Sequence, residues 1–307
     1  MLRKHKHRIV KIRKKAREMK PRFFRGASLY YVTKFFWEGI LEGDIGSRAA
    51  SISYRTLMAF FPTVIFFLSL IPFLPIDNLE NIVLSYMDNI MPDMAYLLLE
   101  STIEDLISKK YATIMSFSII LGLYYATNTF NAYIIEFNSS PILLKKYGYF
   151  TGMFISLILV IFFAIFMFVA VIILLAGNYI LKELLFNNII SLDLKVFFNY
   201  FQYFVAYILF VISISVLYYA GDPHKDKFRF FTPGALTASV LVIITSALFA
   251  WFVNNFGNYN KLYGSLGAFF VALLWLYFNN ILIILGFELN TSIRRANFNH
   301  EQENNNP

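Results

Sequence analysis

The chain has 307 residues, 58% of them hydrophobic and 19% aromatic, with a formal charge of +8 and a mean hydropathy of +0.58. That apolar load excludes an ordinary soluble globular domain. With no cysteine in the sequence, disulfides, thiolate catalysis, iron–sulfur clusters and cysteine-held zinc are excluded as well.

Residues 1–34 read as a solvated basic arm. It lacks the apolar core and cleavage site of a secretory signal. Little aromatic residue interleaves its charges before Phe23–Phe24, so it suits anionic lipid headgroups rather than nucleic acid. Phe35–Gly46 reads as an interfacial segment with Trp37 at headgroup level. Asp44 or Ser47 can cap the helix that follows. That helix carries Arg48 and Arg55, and its Pro62, Pro72 and Pro75 predict a kink and an end near Pro75.

Six stretches then run without a charge: Thr56–Ile76, Tyr111–Ile135, Tyr147–Leu181, Val196–Gly221, Phe230–Asn260 and Leu262–Phe287, of 21, 25, 35, 26, 31 and 26 residues. At ~1.5 Å per residue, ~20 apolar residues cross a hydrocarbon core of ~30 Å. Each stretch is long enough. The predicted fold class is an all-α integral membrane protein, a six-transmembrane-helix bundle, with spans at about 56–76, 111–135, 149–177, 198–220, 233–254 and 265–288 inside a membrane domain over 35–295. A β-barrel does not fit, because Ile155–Leu175 is nearly continuously apolar instead of alternating.

Residues 77–110 form the sizeable segment between spans. Leu79, Ile82, Val83, Tyr86, Met87 and Ile90 share one helical face, as do Ala95, Leu98, Leu99, Thr102, Ile103 and Leu106 beyond Pro92. Two short amphipathic helices on the outer face are expected there, packed on the spans because acidic residues would repel anionic lipid. Gly234, Ala235, Ala238 and Ser239, with Gly264, Gly267 and Ala268, mark close helix contacts. Residues 296–307 read as a polar, disordered cytoplasmic tail.

Basic residues are retained on the cytoplasmic side of a bilayer. The first 55 residues hold 15 Lys and Arg; the predicted inner side totals 22 and the outer side 5. Both termini of this multi-pass membrane protein are therefore expected in the cytoplasm.

Polar groups within spans are the first functional candidates in a bilayer. Asn128 lies eight residues before Glu136, and Asn280 eight before Glu288. Each pair sets an amide ~12 Å above a carboxylate at the inner edge. Asn131 and Asn279 add amides, and Arg48 and Arg55 fall at the inner level. These eight residues predict a polar inward-facing cavity or translocation path, with Arg55 and Glu288 as the expected pair of charges. The alternative is that the amides join helices and the charges snorkel. The four histidines, His5, His7, His224 and His300, have no metal-ligand spacing. No catalytic motif appears, so neither an enzyme nor a cofactor is expected.

Thr232–Thr237 (TPGALT), Asn258–Ala268 (NYNKLYGSLGA), Leu273–Tyr277 (LLWLY), Gly286–Asn290 (GFELN) and Ala49–Pro62 (AASISYRTLMAFFP) together resemble the YihY/virulence factor BrkB family of bacterial inner-membrane proteins. The matching positions are Tyr54, Pro62, Pro233, Gly234, Tyr263, Gly264, Trp275, Gly286 and Glu288. The resemblance implies six transmembrane helices with both termini inside. It also implies envelope phenotypes such as serum resistance, and for some members lipid trafficking. An older ribonuclease label for the family has no support in this chain's residues. The expected function is transport or lipid handling, with membrane lipids and a lipid or small molecule as partners; the alternative is a structural or partner-binding envelope protein.

Overall fold

The computed structural model describes residues 15, 19–24, 26–73, 81, 84, 103–107, 109, 111–186, 192–224, 228–256 and 265–305. Seven long helices appear among them: α1 (Leu29–Glu42), α2 (Ile45–Leu70), α3 (Ala112–Asn138), α4 (Tyr149–Phe186), α5 (Leu192–Gly221), α6 (Pro233–Phe256) and α7 (Ser265–Asn305). No strand occurs among the described residues. An all-helical chain satisfies its backbone hydrogen bonds within each segment, as hydrocarbon demands.

Five of these segments are long and apolar enough to cross a membrane: Ile45–Phe73, Tyr149–Val169, Tyr200–Gly221, Pro233–Val253 and Phe269–Asn299. The expected sixth, 111–135, does form one helix, α3, of sufficient length. It falls short in apolar character because Thr127, Asn128, Thr129 and Asn131 crowd its second half. The two amphipathic helices predicted over 77–110 lie mostly outside the described residues. Residues 103–107 are helical there, with Ile103 and Ile107 buried.

α2 begins at Ile45, directly after the cap candidate Asp44, and carries Arg48 and Arg55 within it as the sequence predicts. It runs through Pro62 and tightens into a 3-10 turn at Ile71–Phe73. Its start follows a sharp turn in which Asp44 takes φ +42°, a left-handed conformation that Asp tolerates better than most residues. The Asp44 carbonyl accepts from Arg48 N at 3.2 Å, the first i, i+4 bond leading into α2. α7 continues to Asn305, beyond the 296 boundary at which the polar composition suggested a disordered tail. Extending an existing helix needs no new nucleus, and no proline intervenes before Pro307.

The chain divides into two compact units. The first comprises Met1–Arg48, Tyr133–Ile244 and Ile281–Pro307, and the second Ala49–Ala132 and Thr245–Asn280. In the first unit, α1 turns Val32, Phe35 and Gly39 inward at i, i+3, i+7 spacing. They pack with Ala27, Ile142, Ile293 and Ala296. Trp37 and Leu41 stay exposed on the other face. On α4, Phe150, Phe154, Ile158, Ile161, Ile165 and Phe168 are all exposed, one apolar stripe suited to lipid.

Aromatic and glycine contacts lock the first unit. Phe137 and Phe287 stack with ring centroids 4.1 Å apart, and Tyr218 meets both edge-on. Such pairs add ~0.5–1.5 kcal/mol beyond area burial. The Tyr218 hydroxyl donates to the Ile283 carbonyl at 2.6 Å. Gly286 faces Gly234: a Cβ on Gly286 would lie 2.6 Å from the Gly234 oxygen and 2.7 Å from Ala238 Cβ. The small face predicted on the fifth span is therefore real, and its partner is Gly286.

Candidate functional site

Within the first unit, α1, α2, α7 and the turn after α3 bring a charged pair together out of water. Arg48 Nη1 donates to Glu288 Oε1 at 2.7 Å and to the Gly43 carbonyl at 3.3 Å. Ser140 Oγ donates to the other carboxylate oxygen, Oε2, also at 2.7 Å. Glu288 is 0% exposed and the Arg48 side chain 5%. Expected as a partner for Arg55, Glu288 instead pairs with Arg48; among the described residues Arg55 joins no ion pair. Gly39 and Gly43 present no side chain to the pair: a Cβ at Gly39 would lie 2.9 Å from Glu288 Oε2, and one at Gly43 3.0 Å from Arg48 Nη1.

The pair is incompletely satisfied. Arg48 Nε and Nη2 are buried and have no hydrogen-bond partner. An arginine cannot shed its proton to escape that cost. Nε and Nη2 share one edge of the guanidinium and hold two N–H groups parallel, the fork that grips a carboxylate or phosphate through two oxygens.

Around this pair the first unit is well tied. Asn138 ends α3 by donating to the Ile134 carbonyl at 2.6 Å, and its Oδ1 accepts from Tyr147 N at 3.0 Å. Asn290 Oδ1 accepts from Gly234 N at 2.7 Å while its Nδ2 donates to Thr232 Oγ1 at 2.9 Å, which fastens α7 to the N-terminus of α6. Asp222 bonds Arg294, and its carbonyl accepts from the Tyr147 hydroxyl at 2.9 Å. Burial first, and the Asp222 carboxylate second, push the Tyr147 phenol above its ordinary value of 10.0.

The second unit holds a separate polar set. Asn280 Nδ2 donates to Ser53 Oγ at 2.9 Å, and Ser53 donates to the Ala49 carbonyl at 2.7 Å. Thr129 Oγ1 donates to the Arg55 carbonyl at 3.0 Å. Asn279 Nδ2 donates to the Trp275 carbonyl at 2.8 Å, and Ser246 joins Asn279 and the Trp275 indole at 3.3 and 3.1 Å. These bonds fit the helix-joining role of amides.

Arg48, Glu136 and Glu288 thus fall in the first unit, and Arg55, Asn128, Asn131, Asn279 and Asn280 in the second. Asn131, Asn279 and Asn280 are buried, whereas Arg55, Asn128 and Glu136 are half-buried. Of the motif positions, Pro62, Pro233, Gly234 and Gly286 are buried, Tyr54 and Trp275 are exposed, and Tyr263 and Gly264 lie outside the described residues. Sequence reasoning missed Gly39, Gly43, Ser140 and Asn290. The i, i+4 glycines, Gly39 within α1 and Gly43 just after it, were the available signal for two of them, and the GFELN block contains Asn290. Ser140 had none.

Comparison with known proteins follows the same residues. The virulence factor BrkB family model matches residues 36–307. A Bacillus subtilis (strain 168) protein named ribonuclease-like protein YfkH is 30% identical over 261 residues, which is 81% of this chain and 90% of that one. The UPF0761 membrane protein MS0032 of Mannheimia succiniciproducens is 31% identical over 86 residues, 28% of this chain and 30% of its own. A UPF0761 membrane protein of Xanthomonas oryzae pv. oryzae is 25% identical over 297 residues, 94% of this chain and 66% of its own. No solved structure matches. A family model that covers nearly the whole membrane domain, together with YfkH along most of its length, places the chain in the virulence factor BrkB family of membrane proteins.

Proposed function

We propose that this protein is a transporter or lipid-handling protein of the bacterial inner membrane, with Arg48 and Glu288 at its working site. One observation carries this: a fully buried ion pair whose guanidinium has an unused binding edge. A scaffold has little use for such a pair. Apolar residues of similar volume in place of a buried ion pair are often neutral or stabilising by ~1–4 kcal/mol. Ionisable groups kept within a membrane bundle mark substrate and ion paths more often than supports.

The rest of the proposal follows from charge and length. Six spans, counting α3, put both termini in the cytoplasm, as the basic arm requires. In this reading the arm attracts anionic headgroups, and the exposed Trp37 and Leu41 of α1 are available to the interface. The ribonuclease-like name belongs to YfkH, and no enzymatic step is proposed.

The test is lipid movement in vesicles reconstituted with the full chain. A headgroup-labelled phospholipid should exchange between leaflets faster than in protein-free vesicles, and Arg48→Lys should slow it. Exchange at the protein-free rate would move the weight to a structural or partner-binding role.

A further inference from the structure

We propose that the Nε–Nη2 edge of Arg48 is a binding site for an oxyanion of the phosphate class, either a lipid headgroup phosphate or free phosphate. This rests on the lipid-handling or transport proposal and names the chemistry its site takes. The two N–H groups are buried and lack any acceptor, a state that costs free energy until an acceptor arrives. Their parallel geometry selects a group offering two oxygens at once. The opposite corner of the guanidinium is already held, by Glu288 at 2.7 Å and by the Gly43 carbonyl at 3.3 Å. Glu288 is itself fixed by Ser140. The plane of the fork is therefore set before a ligand binds, and pre-organisation of this kind strengthens binding without new contacts.

The same arrangement dictates how strongly an anion is held. Glu288 offsets the guanidinium charge, so an incoming phosphate gains from hydrogen bonds but meets a nearby carboxylate. Removing that carboxylate charge while keeping its oxygen should tighten binding. Replacing the fork with a point charge should loosen it. A purely structural pair would give neither pattern.

The experiment is native mass spectrometry of the full chain in mild detergent, titrated separately with dioleoyl phosphatidylglycerol, dioleoylglycerol and inorganic phosphate. Wild type, Arg48→Lys and Glu288→Gln are compared. Arg48→Lys retains a cation for Glu288, and thermal unfolding of each variant confirms its fold. The expected result is retention of a phosphate-bearing ligand, weakened about tenfold in Arg48→Lys and strengthened about fivefold in Glu288→Gln. Phosphatidylglycerol held without competition from inorganic phosphate identifies a headgroup; displacement by inorganic phosphate identifies the free ion. Equal retention of dioleoylglycerol, with no effect of either variant, overturns the phosphate site while leaving lipid handling intact. Loss of affinity in both folded variants, or no retained ligand at all, also overturns it, the edge then holding water only.

Discussion

Removing Glu288 strands Arg48, and the size of that effect can be worked from the site. Glu288→Leu deletes two short hydrogen bonds to a charged acceptor, from Arg48 and from Ser140, both at 2.7 Å. Bonds to charged groups contribute ~1.5–3 kcal/mol each. What remains is a guanidinium 5% exposed, held only by the Gly43 carbonyl at 3.3 Å. Breaking one partner of a buried pair costs ~3–5 kcal/mol, and we expect Glu288→Leu to fall in that range. Arg48→Met should cost less, because the orphaned carboxyl can take up a proton and keeps Ser140. The double variant Arg48→Met/Glu288→Leu removes both charges and should return close to wild type. The expected coupling between the two positions is therefore about 3 kcal/mol or more. The assay is unfolding in a rising fraction of sodium dodecyl sulfate, followed by tryptophan emission. Trp37, Trp251 and Trp275 are all exposed in the fold, so their emission reports loss of the lipid or detergent belt. Costs that simply add in the double variant, with coupling below about 1 kcal/mol, would refute the pair as a unit.

Three further outcomes follow from particular contacts. Gly286→Ala puts a Cβ against the Gly234 carbonyl oxygen and Ala238. Backbone cannot yield as a side-chain end can, so a loss of about 1–3 kcal/mol or more is expected in the same unfolding assay; a neutral effect would mean that α6 and α7 do not approach as described. Asn290→Ala leaves the Gly234 N–H and the Thr232 hydroxyl without their partner and should cost ~1–2 kcal/mol, seen as faster amide hydrogen exchange at the start of α6. Tyr147→Phe loses the bond to the Asp222 carbonyl and should cost about 1 kcal/mol at neutral pH. The raised phenol favours the fold fully below its ordinary value of 10.0, and this contribution fades as pH rises through the folded value. The gap between Tyr147→Phe and wild type should therefore narrow above pH 10, and a gap that widens would contradict the burial.

Much of the fold was legible because hydrocarbon leaves few choices. A charge-free run long enough to cross can only be a helix, and the small face of Gly234, Ala235, Ala238 and Ser239 announced a close neighbour. α3 was harder. Its amides lower its apolar character at the same time as they make it interesting. Arg48 illustrates a different limit. It was placed at the inner level with Arg55 by sequence, but its pairing with Glu288 is made beside Gly39 and Gly43, where a side chain would crowd the two charges. That information is spread over Gly39, Gly43, Arg48, Ser140 and Glu288, which no local pattern links. The unpaired edge of Arg48 is likewise a property of packing, invisible in a string of residue types. Helical extension through residue 305 was misjudged because polar composition resembles a solvated tail whether or not a helix already leads into it.

If Arg48 and Glu288 form the working site of an inward-facing path, as proposed, that site must open to the cytoplasmic side. The native chain has no cysteine, so Ser140→Cys places a single thiol where the hydroxyl now meets Glu288. With a membrane-impermeant thiol reagent, this thiol should label in inside-out vesicles and not in right-side-out ones, although Ser140 is 0% exposed in the resting fold. A thiol that stays unlabelled from both sides, yet reacts fully once the protein is unfolded in detergent, would show a sealed structural pair and contradict the account.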